Sequence, residues 1–209
     1  MLFSPGLYLP MGKKPAGVAA VPTTWNPADI GASFSLSNGN LTAAAIQPPF
    51  TGAFGGRSIA NHSVGKYYWE IHLDVFTAGG FEIGIARSGW DEASALLNTA
   101  NGAVIRDDGV FGYNSSNAIA GFSFAAGDVI NIALDLGNSK IWFRKNGAGN
   151  WNGSGTDDPA TNAGGLSIAG FSTPAYAAAF LNGANNITVT ARFSSVSWTG
   201  TAPSGFGQL

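Results

Sequence analysis

The stretch GDVINIALDLGNSKIWFRKNG, residues 127–147, alternates apolar and polar side chains in two segments on either side of Gly137-Asn138-Ser139. A repeat of two residues is typical of a β-strand that buries one face, because successive side chains point to opposite sides. The pattern therefore predicts a β-hairpin with a buried face. Its apolar side consists of Ile130, Ile132, Leu134, Leu136, Ile141 and Phe143.

Several other segments show the same alternation. GKYYWEIHLDV (65–75), FEIGIAR (81–87) and NNITVTARF (185–193) each predict a strand with one buried face. FSLSNGNLTA (34–43) predicts a hairpin, since Asn-Gly tolerates the positive φ that tight hairpin turns need. DEASALLN (91–98) is the one helical candidate. We expect Trp69, Ile71, Ile83, Ile132, Leu134, Phe143 and Val189 to share one core.

Composition narrows the class of protein. The 209 residues include 30 glycines and are 45% hydrophobic but only 11% charged, which is typical of an all-β domain with many short turns. The net charge is −2 and no basic cluster exceeds a pair, so we expect no nucleic-acid partner. There is no cysteine. No apolar run is long enough to span a membrane, and the N-terminus does not read as a signal peptide.

These segments together resemble the SPRY domain family. The matching pieces are GKYYWEI (65–71), FEIGIAR (81–87), GDVINIALDL (127–136), KIWFRKNG (140–147), AYAAAF (175–180) and APSGF (202–206). LSNGNLTA (36–43) and DPATNAGGLS (158–167) resemble bacterial and phage-encoded members. The resemblance covers residues 25–209.

The resemblance implies an all-β, antiparallel β-sandwich of the concanavalin or jelly-roll type. It also implies a binding or scaffolding module without catalytic activity or cofactor. We expect a virion component made in the host cytoplasm, such as a capsid decoration, fibre or tail protein, with other virion proteins or its own copies as partners. Two alternatives remain open: a carbohydrate-binding adhesin, and, less favoured, a glycan hydrolase.

Residues 1–24 differ from the rest of the chain. Four prolines interrupt them, so they predict an extended arm and not a regular helix or central strand. We expect the apolar residues Leu7, Tyr8, Leu9 and Met11 to anchor the arm on a neighbouring subunit or another virion protein. The alternative is that the arm packs along its own sheet edge.

Candidates for catalysis and metal binding are weak. The two histidines, His62 and His72, have no ligand-like neighbour at metal spacing. Three acidic pairs, Asp91-Glu92, Asp107-Asp108 and Asp157-Asp158, fall in predicted loops. Paired carboxylates can hydrolyse glycosides or hold calcium, but they more often cap turns. We expect no metal site, although calcium at these pairs stays open.

A recognition surface is predicted from strand counting. If each strand crosses the sandwich, loops 47–66, 88–108 and 146–167 lie at one end, where long loops on a rigid scaffold commonly bind partners. A host glycan or protein would be the ligand, and loop tryptophans could stack on it. The candidate residues are Arg57, Trp90, Arg106, Asp107, Trp151 and Asn152.

Overall fold

A computed structural model describes residues 23–45, 54–97, 99–119, 121–182 and 186–209, with the backbone alone for 116–119. The predicted arm anchors Leu7, Tyr8, Leu9 and Met11 lie outside these residues. The described part forms two antiparallel sheets packed face to face, which confirms the all-β sandwich. Within it, no helix has the length and hydropathy to cross a bilayer.

We call the first sheet sheet A. Its strands, in spatial order, are β1 (Trp25–Ile30), β4 (Gly55–His62), β13 (Ala175–Leu181), β6 (Phe81–Arg87), β7 (Gly102–Arg106), β8 (Val110–Tyr113) and β9 (Ser116–Ile119).

Sheet B is the second layer. Its spatial order is β12 (Leu166–Ser167), β11 (Lys140–Lys145), β10 (Val129–Asp135), β5 (Lys66–Val75), β14 (Thr188–Arg192), β3 (Thr42–Ala45) and β2 (Phe34–Ser37). A last short strand, β15 (Gly207–Gln208), pairs in parallel with β5.

The predicted hairpin forms the second and third strands of sheet B, next to the short edge strand β12. Leu134 pairs with Ile141 and Ile132 pairs with Phe143, so the apolar sides of β10 and β11 face the same way. Both strands contribute to the core between the sheets, where Trp69 has no exposed surface. The predicted core is confirmed: Trp69, Ile71, Ile83, Ile132, Leu134, Phe143 and Val189 all belong to it.

Three local predictions were wrong. Residues 55–62, which lie inside the predicted loop 47–66, form strand β4. Residues 91–97 form turns instead of a helix, since the Asp91 carboxylate accepts from Ala93 N–H and its carbonyl accepts from Ser94 N–H. The segment GAVIR (102–106) lies inside the predicted loop 88–108 but forms strand β7. This strand adds one crossing of the sandwich.

The extra crossing reverses the predicted placement of later loops. Residues 88–101 lie at the end of the sandwich that also holds the turns 63–65 and 114–115, which we call the first end. Gly127 N–H donates to Leu73 O and Asn146 N–H donates to Val129 O, so 125–127 and the start of 146–165 lie at the second end. The long loops therefore do not all meet.

The outer face of sheet B is also buried, which alternation alone did not predict. Tyr68 and Glu70 of β5 were expected to face outward, yet neither has exposed surface. Residues 194–206 and Trp151 cover them, together with the outward ring of Trp142. The sandwich thus carries a second packed layer on this side.

Candidate functional site

The six sequence-predicted site residues fall into three separate groups. Arg57 and Trp90 lie on the outer face of sheet A, Arg106 and Asp107 lie at the second end of that sheet, and Trp151 and Asn152 lie on sheet B. Their expected convergence at one end is wrong, because β7 inverts the loop order and the two tryptophans pack on opposite outer faces.

Arg57 is an internal electrostatic anchor. Only 8% of it is exposed, and its guanidinium donates to both Asp29 oxygens at 2.8 and 2.7 Å and to Glu92 Oε1 at 3.1 Å. A fourth bond reaches Arg87 O at 2.6 Å, and the guanidinium lies 5.1 Å from the ring centre of Tyr176. This side chain ties β1 and β4 to the segment after β6.

The carboxylates around Arg57 respond to it differently. Desolvation opposes ionisation of Asp29, but hydrogen bonds from Arg57 outweigh it and lower the pKa of that carboxyl. Desolvation and the adjacent Asp29 instead raise the pKa of Glu92. Of the two carboxylates that Arg57 binds, Asp29 therefore stays ionised to lower pH, whereas Glu92 is protonated more readily.

Trp90 is part of the cover over sheet A. It is 2% exposed, its indole N–H donates to Ser94 O at 2.8 Å, and it packs with Leu96 and Ala178. A β-carbon on Gly55 would lie 2.2 Å from its ring, so glycine is needed beneath it. Trp90 therefore offers no open stacking platform.

Glu82 is a buried acid whose partners sequence reasoning missed. Its Oε2 accepts from Leu96 N–H at 2.6 Å and Leu97 N–H at 2.9 Å. Burial raises the pKa of Glu82, although these two bonds offset part of the effect. The sole sequence signal was a glutamate between Phe81 and Ile83 in a largely apolar strand.

A small mixed-charge pocket of about 80 Å³ lies beside Glu82 at the second end, where Arg106 and Asp107 also line it. Asp107 accepts from the backbone N–H groups of Gly79 and Gly80. The Arg106 side chain forms a two-pronged ion pair with Asp108, and the two side chains are 40% and 47% exposed. We call this surface the Arg106 rim; its exposed charges suit contact with a polypeptide.

Trp151 and Asn152 are structural on the far side of the molecule. Trp151 is 7% exposed and lies 4.3 Å from the Arg144 guanidinium. Asn152 accepts from Phe143 N–H and donates to Asp157, both at 2.9 Å. These contacts fix residues 151–165 against the edge of sheet B.

The acidic pairs and histidines are also engaged in local structure. Asp158 caps the short 3-10 turn after it by accepting from Ala160 N–H at 3.0 Å. His62 stacks on Tyr67 with ring centres 3.7 Å apart, and desolvation lowers the pKa of this histidine. Among the described residues, no three His, Asp or Glu side chains are grouped to hold a metal ion.

Comparisons with known proteins agree with this architecture. A family model described as the SPRY domain matches residues 66–189. Over 125 residues the chain is 29% identical to the ATP-dependent RNA helicase DDX1 of Xenopus laevis, covering 58% of this chain and 16% of the helicase. The chain therefore spans about a sixth of that relative's length.

Solved structures share the fold. The SPRY domain of human HERC1 superposes with a TM-score of 0.63 at 18% identity, covering 80% of this chain and 96% of that one. Stonustoxin gives 0.59 at 17% identity, covering 82% and 27%, and the PSpry domain of TRIM65 gives 0.59 at 14%, covering 82% and 92%. At these identities the likeness concerns the fold.

Proposed function

Because the chain belongs to the SPRY domain family, we propose that it is a non-enzymatic interaction module of a bacteriophage virion, made in the host cytoplasm. SPRY domains are typically protein–protein interaction modules and are generally non-enzymatic. The role would be that of a capsid decoration, fibre or tail component. Its partners would be other virion proteins or further copies of itself.

The engagement of the acidic side chains supports the non-enzymatic part of the proposal. Asp91, Asp107 and Asp158 cap loops and turns, and Asp108 pairs with Arg106. Glycoside hydrolysis needs two carboxylates that face one bond at about 5–10 Å from each other across a substrate. Carboxylates that accept hydrogen bonds from the protein's own backbone are poorly placed to catalyse glycoside hydrolysis.

The experiment for this part is a turnover assay on host surface polysaccharide. We expect no depolymerisation by the full chain above a buffer blank. Turnover that Asp107→Asn or Glu82→Gln abolishes, with the melting temperature retained, would establish the hydrolase alternative instead.

The proposed assembly device is the N-terminal arm, with Leu7 to Met11 as its anchor. Its support is compositional: prolines exclude a compact element, and the apolar side chains between them need a surface to cover them. Thr23 and Thr24 are already bonded to β4, since Ala60 N–H donates to Thr23 Oγ1 and Ile59 N–H donates to Thr24 O. A truncated chain that lacks the arm should therefore start at Thr23.

The decisive measurement compares the full chain with residues 23–209 in particle incorporation, read as stoichiometry in purified virions. We expect the shorter chain to fold cooperatively and to be absent from particles. A matched pair sharpens the test: Leu7→Asn with Leu9→Asn should fail to incorporate, whereas Lys13→Asn with Lys14→Asn should succeed. Normal incorporation of the truncated chain would refute the arm as the attachment device.

We further propose the Arg106 rim as the surface that meets a host receptor or second virion protein. Arg106→Glu reverses an exposed charge, and exposed ion pairs contribute only about 0–1 kcal/mol to stability, so folding should persist. Adsorption of labelled chain to host cells should fall, while Lys145→Glu on sheet B leaves it unchanged. Equal adsorption by both variants would contradict this assignment.

A further inference from the structure

A cleft of about 190 Å³ opens at the first end of the sandwich, between the last residues of β8 and β12. One water molecule needs only about 10–15 Å³. Pockets for drug-sized ligands span about 300–1,000 Å³. The cleft therefore has room for one small chemical unit. Its lining residues are Tyr113, Asn114, Ser167 and Ala169.

Tyr113 presents its hydroxyl to this cleft from an otherwise buried ring. Only 5% of the residue is exposed, and its ring packs in the core with its centre 5.9 Å from that of Phe171. Within the part of the chain that the structure describes, the phenolic hydroxyl has no hydrogen-bond partner. The hydroxyl is the solvent-accessible tip of this residue, so it can hydrogen-bond to a ligand that enters the cleft.

The other lining groups are neutral and can both donate and accept. Asn114 sits in the tight turn after β8 with φ of 47°, and its backbone N–H is held by Thr99 O, so its exposed carboxamide is presented from a fixed backbone. Ser167 Oγ accepts from Ala169 N–H at 3.3 Å, which leaves the Ser167 O–H proton to donate. Among the residues that the structure describes, no carboxylate, ammonium, guanidinium or imidazole lines the cleft.

The neutral, hydrogen-bonding lining of the cleft indicates which class of ligand would fit. A charged ligand would find no counter-ion in the lining, and an apolar ligand would leave the Tyr113 hydroxyl unpaired. Sugar hydroxyls both donate and accept, as do the phenol, carboxamide and hydroxyl that line the cleft. Desolvation raises the pKa of Tyr113, so its hydroxyl stays protonated and able to donate near neutral pH.

We propose that the Tyr113 cleft binds one neutral sugar residue of a glycan. The sugar would hydrogen-bond to the Tyr113 hydroxyl, the Asn114 carboxamide and the Ser167 hydroxyl, with the Ala169 methyl against its carbon skeleton. This site is independent of the N-terminal arm and of the Arg106 rim, so its failure would leave the virion role untouched.

Saturation-transfer NMR with glucose, galactose, mannose and N-acetylglucosamine, followed by an array of neutral oligosaccharides, tests the cleft directly. We expect at least one of these sugars to bind the full chain. Tyr113→Phe removes a single oxygen and should weaken that binding about fivefold or more, as the loss of one buried hydrogen bond would. Because the oxygen makes no hydrogen bond to another group of the described protein, the variant should melt close to the wild-type temperature.

Two further variants complete the test. Ala169→Leu fills the cleft and should abolish binding, whereas Tyr176→Phe removes the same phenolic oxygen on the outer face of sheet A and should change nothing. The proposal is overturned if none of the sugars binds, or if binding survives both Tyr113→Phe and Ala169→Leu. It is equally overturned if the Tyr113-dependent ligand in a parallel peptide array is a peptide or a charged glycan and not a neutral sugar.

Discussion

The outer faces of the two sheets are both covered, but by different means. On sheet A a short segment, residues 88–97, lies over a small apolar cluster around Trp90 and Leu96. On sheet B the chain's last residues, 194–206, join Trp151 over Tyr68 and Trp142. Sheet A thus has a local cover close in sequence to the strands beneath it, whereas sheet B has a distant one.

The polar groups that hold the two covers also differ. Glu70, with no exposed surface, accepts from Tyr68, Asn131, Thr199 and Gly200, so one carboxylate fixes the cover of sheet B. On sheet A two separate sets of bonds hold the cover. Glu82 accepts from Leu96 N–H, and Arg57 pairs with the partly exposed carboxylates of Asp29 and Glu92. We infer that sheet B's cover is structural and that sheet A's leaves charge available at the surface.

The largest expected effect is that of Glu70→Ala. Removing this carboxylate leaves several buried donors unpaired, which should lower the free energy of unfolding by about 3–5 kcal/mol. Urea unfolding measures the change, and faster hydrogen exchange at the Thr199 and Gly200 amides reports release of residues 194–206. Asp74→Ala, an exposed carboxylate of the same strand, should cost no more than about 1 kcal/mol. Equal losses for the two variants would contradict the structural role of Glu70.

A smaller effect is expected from Glu82→Ala. It leaves the N–H groups of Leu96 and Leu97 without their acceptor, at a cost of about 1–3 kcal/mol. Hydrogen exchange at these two amides should accelerate more than elsewhere in the domain. Glu82→Gln retains an acceptor oxygen, so it should keep both amides protected. Unchanged exchange in Glu82→Ala would mean that the cover is held without this side chain.

The difference between the two covers could not be predicted from the sequence, for identifiable physical reasons. Alternation in β5 placed Trp69 inward and Tyr68 outward correctly, yet it cannot tell solvent from a cover supplied about 130 residues later. Tyr68 and Trp142 on the outward side were the available signal. The five-residue strand β7 begins with a glycine and was predicted as part of a loop, and that one error placed Trp151 at the wrong end.

Arg57→Met should have a more modest effect than either glutamate change to alanine. It keeps the apolar stem but leaves Asp29 and Glu92 facing each other without their cation. We expect a loss of about 1–2 kcal/mol in thermal or urea unfolding, discounted for the partial exposure of both acids. Adding Glu92→Gln in the Arg57→Met background should restore part of the loss. A double variant less stable than Arg57→Met would show that repulsion between the acids is not the cause.

The smallest and sharpest contrast is in pH dependence. For Glu70, desolvation is outweighed by bonds from Thr199, Tyr68 and Gly200, so its pKa is below the ordinary value near 4.5. For Glu82, burial dominates and its pKa is above that value. When a folded-state pKa is lowered, the stabilisation exists above the unfolded pKa and fades as pH falls; when it is raised, stability increases as pH falls through the folded pKa.

The two faces should therefore show pH effects of opposite sign. Subtracting the unfolding free energy of Glu70→Gln from that of the wild type, we expect a difference that shrinks as the solution is acidified from pH 7 towards pH 4. The same subtraction with Glu82→Gln should grow over that range, because protonation of Glu82 relieves the cost of a buried charge. Two differences that moved in the same direction would mean that the two carboxylates, and hence the two covers, are held by the same balance of burial and hydrogen bonding.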